Sequence, residues 1–116
     1  MKKLILLLFI PLVSFGQTEE VIKYYKNGAV EVKFNVVDNL AQGEVIKYYK
    51  NGAVKVKFNV VDDLPQGEAI HYYQNGLVML KANFVDGKLQ GELVYYNKNG
   101  EIEKIENYKD DVLIED

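Results

Sequence analysis

The chain of 116 residues has no cysteine and no tryptophan, a single histidine and two prolines. It has no arginine either; all 14 basic residues are lysines. Each absence removes a class of function. Without cysteine there is no disulfide framework, no thiol nucleophile and no thiolate zinc site. Ser14 is the only serine and Thr18 the only threonine, so a Ser–His–Asp arrangement cannot be assembled from the body of the chain. Without arginine the bidentate contacts to phosphate and guanine are missing, and a formal net charge of -3 repels a polyanion further. Nucleic acid is therefore not an expected partner.

What the chain does have is a repeat. The stretch from Gly43 to Gln66 recurs at a period of 24 residues. Asn27-Gly28, Asn51-Gly52, Asn75-Gly76 and Asn99-Gly100 fall in register, as do Tyr24, Tyr48, Tyr72 and Tyr96. Gly43-Glu44, Gly67-Glu68 and Gly91-Glu92 open three copies, and Glu20 stands where an earlier one opens. A fixed period of this length marks a repeat architecture. Units fall at about 20–43, 44–67, 68–91 and 92–116.

Each unit holds two strand-like runs around an Asn-Gly turn signal. In the second run Val54, Val56, Phe58 and Val60 alternate with Lys55, Lys57 and Asn59, the period-two pattern of a half-buried strand. One unit is one β-hairpin. A two-residue turn would set Lys47 opposite Val56. A three-residue loop, Lys50-Asn51-Gly52 with Gly52 left-handed and a bulge, collects Ile46, Tyr48, Val54, Val56 and Phe58 on one face. The second is expected, because the Ile46 column stays apolar and the Tyr48 column stays tyrosine through every copy. Gly28, Gly52, Gly76 and Gly100 are then structural turn residues, and Tyr24, Tyr48, Tyr72 and Tyr96 an inward-facing spine. The predicted fold is all-β: a single-layer antiparallel meander of about eight strands built from four 24-residue hairpins. In the last copy Lys104 and Glu106 fall on the apolar face, as terminal repeats and protected sheet edges require. Residues Val112 to Ile114 are expected either to add a short strand or to fray.

The N-terminus reads differently. Met1-Lys2-Lys3 is basic, Leu4 to Phe15 is apolar apart from Pro11 and Ser14, and small residues Ser14 and Gly16 precede Gln17. This is the pattern of a secretory signal peptide over 1–16, too short to span a bilayer. The mature domain is then 17–116, exported to the periplasm or beyond. Twelve lysines remain in it against 17 acidic residues, a net charge of -5.

Gly-Glu-x-x-x-Tyr-x-x-Asn-Gly followed by an alternating strand, with Asp-Gly-Lys-Leu-Gln-Gly-Glu at 86–92, resembles the bacterial MORN-repeat variant. YwqK-like proteins, named as antitoxins of toxin–antitoxin pairs, are built of the same unit. The resemblance covers about four copies. It implies a non-enzymatic, elongated β-sheet used for protein or membrane contact, and for an exported member an immunity-type role.

No cofactor, metal or catalytic residue is expected. His71 takes a position that is Lys23 and Lys47 in its neighbours, and reads as an exposed strand residue rather than a general base. Glu20, Glu44, Glu68 and Glu92 form a ladder at about 9–10 Å steps, but repeated environments do not separate an acid from a base. Asp38, Asp62, Asp63, Asp86, Asp110 and Asp111 read as turn formers. The candidate binding residues are Tyr25, Tyr49 and Tyr73, expected to stand exposed and to be dispensable for folding, and the stripe Lys33, Lys57 and Lys81 opposite the apolar face. The expected function is protein binding, as a scaffold, an antitoxin- or immunity-like protein, or through self-association. The alternatives are a glycan or envelope surface stacked on those tyrosines, or anionic lipid held by the lysines.

Overall fold

The computed structural model describes residues 3–8 and 18–115. They form one antiparallel sheet with no helix among the described residues. The strands are β1 (Lys3–Leu8), β2 (Thr18–Tyr24), β3 (Val30–Val37), β4 (Leu40–Tyr48), β5 (Val54–Val61), β6 (Leu64–Pro65), β7 (Gly67–Tyr72), β8 (Val78–Val85), β9 (Lys88–Leu89), β10 (Gly91–Tyr96), β11 (Ile102–Lys109) and β12 (Val112–Ile114). Neighbours in sequence are neighbours in the sheet, so the fold is the expected hairpin meander. The strand count exceeds eight for three reasons. Residues 3–8 contribute β1, residues 112–114 form β12, and β6 and β9 are short starts of return strands that bend before continuing as β7 and β10. The cut expected before Gln17 lies outside the described residues.

The hairpin loop is the three-residue one. Tyr49 N donates to Ala53 O at 2.8 Å and Gly52 N to Tyr49 O at 3.0 Å, with Gly52 at φ 92°. Glycine adopts that angle without steric cost, and the same two bonds recur in all four units. Asn51 Oδ1 accepts from Ala53 N, locking the loop locally.

The facing of the second strand differs from expectation, because a further bulge follows the loop. Tyr48 pairs with Val54, but Lys47 then pairs with Val56, so Lys55 is an extra residue on its strand. The same shift makes Glu31, Met79 and Glu103 extra in the other units. A bulge that sets two residues against one reverses the alternation beyond it. Ile46, Tyr48 and Val54 therefore share one face, here called outer. Val56 and Phe58 pass to the other, inner face, where they join Val45 and Lys47. The Lys47–Val56 pairing that a two-residue turn would give is reached by a three-residue loop plus one bulge.

The inner face carries the core. Val45, Val56, Val60, Ala69, Ala82 and Leu93 are the buried apolar residues at 4–8 % exposure, and strand alternation puts all six on that face. The sheet bends around them at each unit start. Between Lys33↔Ile46 and Asn35↔Gln42 the β4 strand spends two residues more than β3, and Gly43 there has φ 86°. Bending a single layer encloses one side, which is how a chain this small buries a core without a second layer.

Units are joined by two-residue turns whose central residues both have positive φ, such as Asp62 at 51° and Asp63 at 70°. That is the hairpin geometry matched to strand twist, and Asp and Asn tolerate it better than other side chains. The turns at 62–63, 86–87 and 110–111 each bond to the unit before them. Asp63 N donates to Ala41 O at 3.0 Å, Ala41 N donates to Asp63 Oδ1 at 2.6 Å, and Asp62 and Gln42 exchange bonds through the Gln42 amide. One junction differs. There Pro65 has no N–H to donate and Gly87 no side chain to accept, so only Gly87 N to Pro65 O remains of that pair.

Candidate functional site

A concavity of about 550 Å³ lies on the inner face across the first two units. Its floor is apolar: Val32, Phe34, Val45, Phe58 and Val60. Its border is charged, with Lys23, Lys47 and Lys55 against Glu31 and Asp63. The bulge creates this border. By bringing Glu31 and Lys55 onto the same face as Val32 and Val56, it places a charge beside each inward valine. His71 continues the row of Lys23 and Lys47. It is half-buried rather than exposed as expected, because the bulges bring Val56 and Leu80, its partners on either side, onto its face. Burial foremost, then the charges of Lys47 and Lys55, hold its imidazole below the ordinary range, so the row beside it is a cationic locus.

Tyr25 also lines this groove, and its role corrects the expectation of a free binding side chain. Its hydroxyl donates to Tyr48 O at 2.6 Å, in the next unit. Tyr49 donates to Tyr72 O at 2.5 Å and Tyr73 to Tyr96 O at 2.7 Å. All three are half-buried struts between units. The spine role given to Tyr24, Tyr48, Tyr72 and Tyr96 is corrected with it: Tyr48, Tyr72 and Tyr96 supply backbone carbonyls, while the rings lie half-buried on the outer face. The ladder ends where the fourth copy has Asn97, which bonds within its own loop to Glu101 and Asn99. Two rings carry lysine ammoniums: Lys50 over Tyr25 at 5.9 Å and Lys55 over Tyr49 at 5.7 Å.

Lys33, Lys57 and Lys81 do lie opposite the buried face. They are interleaved with Ile22, Ile46, Ile70 and Val94 through direct cross-strand pairing. Glu44 sits 3.8 Å from the Lys57 ammonium, so the stripe is partly neutralised by the glutamate column beside it. The far end of the inner face is closed by polar groups. Tyr95 and Tyr108 both donate to Glu106 Oε1, at 3.2 and 3.1 Å, and Lys104 lies 3.5 Å from Glu106 and 4.6 Å over the Tyr95 ring. Among the described residues no group of acids and histidine is placed to hold a metal ion.

The sequence reading missed Lys23, Lys47 and Lys55 as border residues. A signal for them was present in the Val45 column, which reads Val21, Val45, Ala69 and Leu93 and is as apolar as the Ile46 column beside it. Two adjacent apolar columns mean both faces of the first strand are partly covered, so the intervening lysines of the Lys47 column sit among apolar side chains.

A family model described as the MORN repeat variant matches residues 41–62 and 89–110. The two matches start two repeat periods apart, and each runs from a return strand through the Asn-Gly loop to the next inter-unit turn. The intervening copy has the same loop and the same bulge, and so continues the geometry of the two matched units. Repeats of this class are non-catalytic modules for protein or membrane contact. No curated protein and no solved structure matches the chain.

Proposed function

We propose that this chain is an exported, non-catalytic module that holds a protein partner in its inner groove, in a scaffold or immunity-like role. The observation that carries the reading is the groove itself: an apolar floor of about 550 Å³ bordered by Lys23, Lys47 and Lys55. Such a surface takes an extended segment with apolar side chains and acidic flanks. The leader over 1–16 supports export. In-cell crosslinking followed by pull-down from the exported fraction tests both parts. The parent is expected to capture a partner that a Lys47→Glu, Lys55→Glu variant with unchanged circular dichroism does not. Equal capture by both would overturn the groove as the binding surface.

The outer face supports a second reading, contact with anionic lipid, because Lys33, Lys57 and Lys81 alternate there with isoleucines. The neighbouring glutamates weaken it, and co-sedimentation with phosphatidylserine vesicles decides it. A glycan reading would need open ring faces, and the half-buried rings of Tyr25 and Tyr49 already carry the Lys50 and Lys55 ammoniums.

A further inference from the structure

In the intact chain β1 lies along the outer edge of β2, paired from Lys3↔Lys23 to Leu8↔Thr18. If the leader leaves, that edge becomes the terminus of the sheet. Its hydrogen-bonding side follows from the hairpin. Tyr25 N donates inward to Ala29 O, so by alternation the main-chain groups of Tyr24, Ile22, Glu20 and Thr18 point outward. The edge is seven residues long and carries neither a proline nor a bulge within Thr18–Ile22 to block it.

We propose that, once β1 is removed, β2 pairs antiparallel with β2 of a second copy about a two-fold axis through Val21. In that register Thr18 faces Tyr24 of the second copy, Glu19 faces Lys23, Glu20 faces Ile22 and Val21 faces its own equivalent. The outward-pointing residues Glu20 and Ile22 then form the hydrogen-bonded pairs. Each Glu19 meets a Lys23 directly, twice per dimer, and opposite charges across a strand pair favour it. Sliding the register so that Glu20 faces Glu20 loses both ion pairs and adds a like-charge contact.

The other end of the sheet explains why the association closes at two copies. Continuing the inter-unit register Val56↔His71 beyond the last repeat would set Lys104 opposite Lys23 of the next copy, two like charges. Lys104 is already committed to Glu106 and the Tyr95 ring. Head-to-tail stacking into an open fibre is therefore blocked, while the symmetric β2 contact is self-complementary.

The proposal depends on export only for its setting in the cell. To test it, a protease site is inserted between Gly16 and Gln17 of the 116-residue chain and sedimentation velocity is run before and after cutting. The uncut protein should be monomeric. The cut protein should lose its N-terminal fragment and dimerise. Glu19→Lys alone should weaken the dimer by about tenfold or more, as should Lys23→Glu alone, and the two together should restore it to within about threefold. A cut chain that stays monomeric at about 100 µM, with or without the fragment, overturns the proposal, as does a double variant as weak as the single ones. Intact mass of the protein from the exported fraction is read separately. A retained leader there overturns the export reading and leaves the result on the cut chain standing.

Discussion

Replacing Tyr25, Tyr49 and Tyr73 together by phenylalanine tests the strut assignment at one atom per site. Each change deletes a hydroxyl that donates 2.5–2.7 Å to a carbonyl of the next unit and leaves the ring in place. A net intramolecular hydrogen bond of this kind contributes about 1 kcal/mol. Successive tyrosines are about 10 Å apart, two strands across, so the losses should add to about 3 kcal/mol. Against a total of about 5–15 kcal/mol that is a large share. With a urea slope of about 1–3 kcal/mol per molar, the unfolding midpoint should fall by about 1–3 M. Tyr48→Phe is the internal control. No hydrogen bond from its hydroxyl occurs among the described residues, and its carbonyl is untouched, so its midpoint should stay close to the parent's. A triple variant within about 0.3 M of the parent would refute the reasoning. The corresponding triple alanine variant, which also removes half-buried rings, should not reach a cooperative native state, contrary to the expectation that these residues are dispensable.

Gly52→Ala meets no atom within 4 Å, so its cost is backbone strain alone at φ 92°, about 1 kcal/mol or more by urea titration. The junction lacking one bond can be repaired. Pro65→Ala with Gly87→Asp should recreate the Ala41–Asp63 pair, and a double-mutant cycle should return a favourable coupling of about 1 kcal/mol once the Leu64 side chain, 3.1 Å from the new Cβ, gives way. His71 makes stability pH-dependent. Its folded-state value lies below its ordinary one of about 6.5, so the unfolded chain takes up the proton first. The stabilisation is complete above the unfolded value and is lost as pH falls below it. His71→Gln should flatten the midpoint between about pH 7 and pH 5.

The hairpin unit, the Asn-Gly loop and the aspartate turns were legible because each depends on residues adjacent in sequence. Gly52 and Asp62 announce their φ angles by type. The face of Val56 and Phe58 was not legible. It depends on the bulge at Lys55, a position that reads Glu31, Lys55, Met79 and Glu103 in the four copies and so carries no consistent chemistry. One unmarked residue reversed the alternation, moved the core to the other face and brought the lysine border with it. The tyrosine pair was recognised, but which ring bridges the units depends on the reach of a hydroxyl to a carbonyl 23 residues on, which period and polarity do not encode.

The facing of β4 against β5 decides the groove and all that follows from it, and nuclear Overhauser contacts between α-protons across that pair read it directly. The register described here predicts a cross-peak from Ile46 to Lys57, with Lys47 beside Val56. A cross-peak joining Ile46 to Val56 would mean no bulge at Lys55, a core on the opposite face and no lysine-bordered groove.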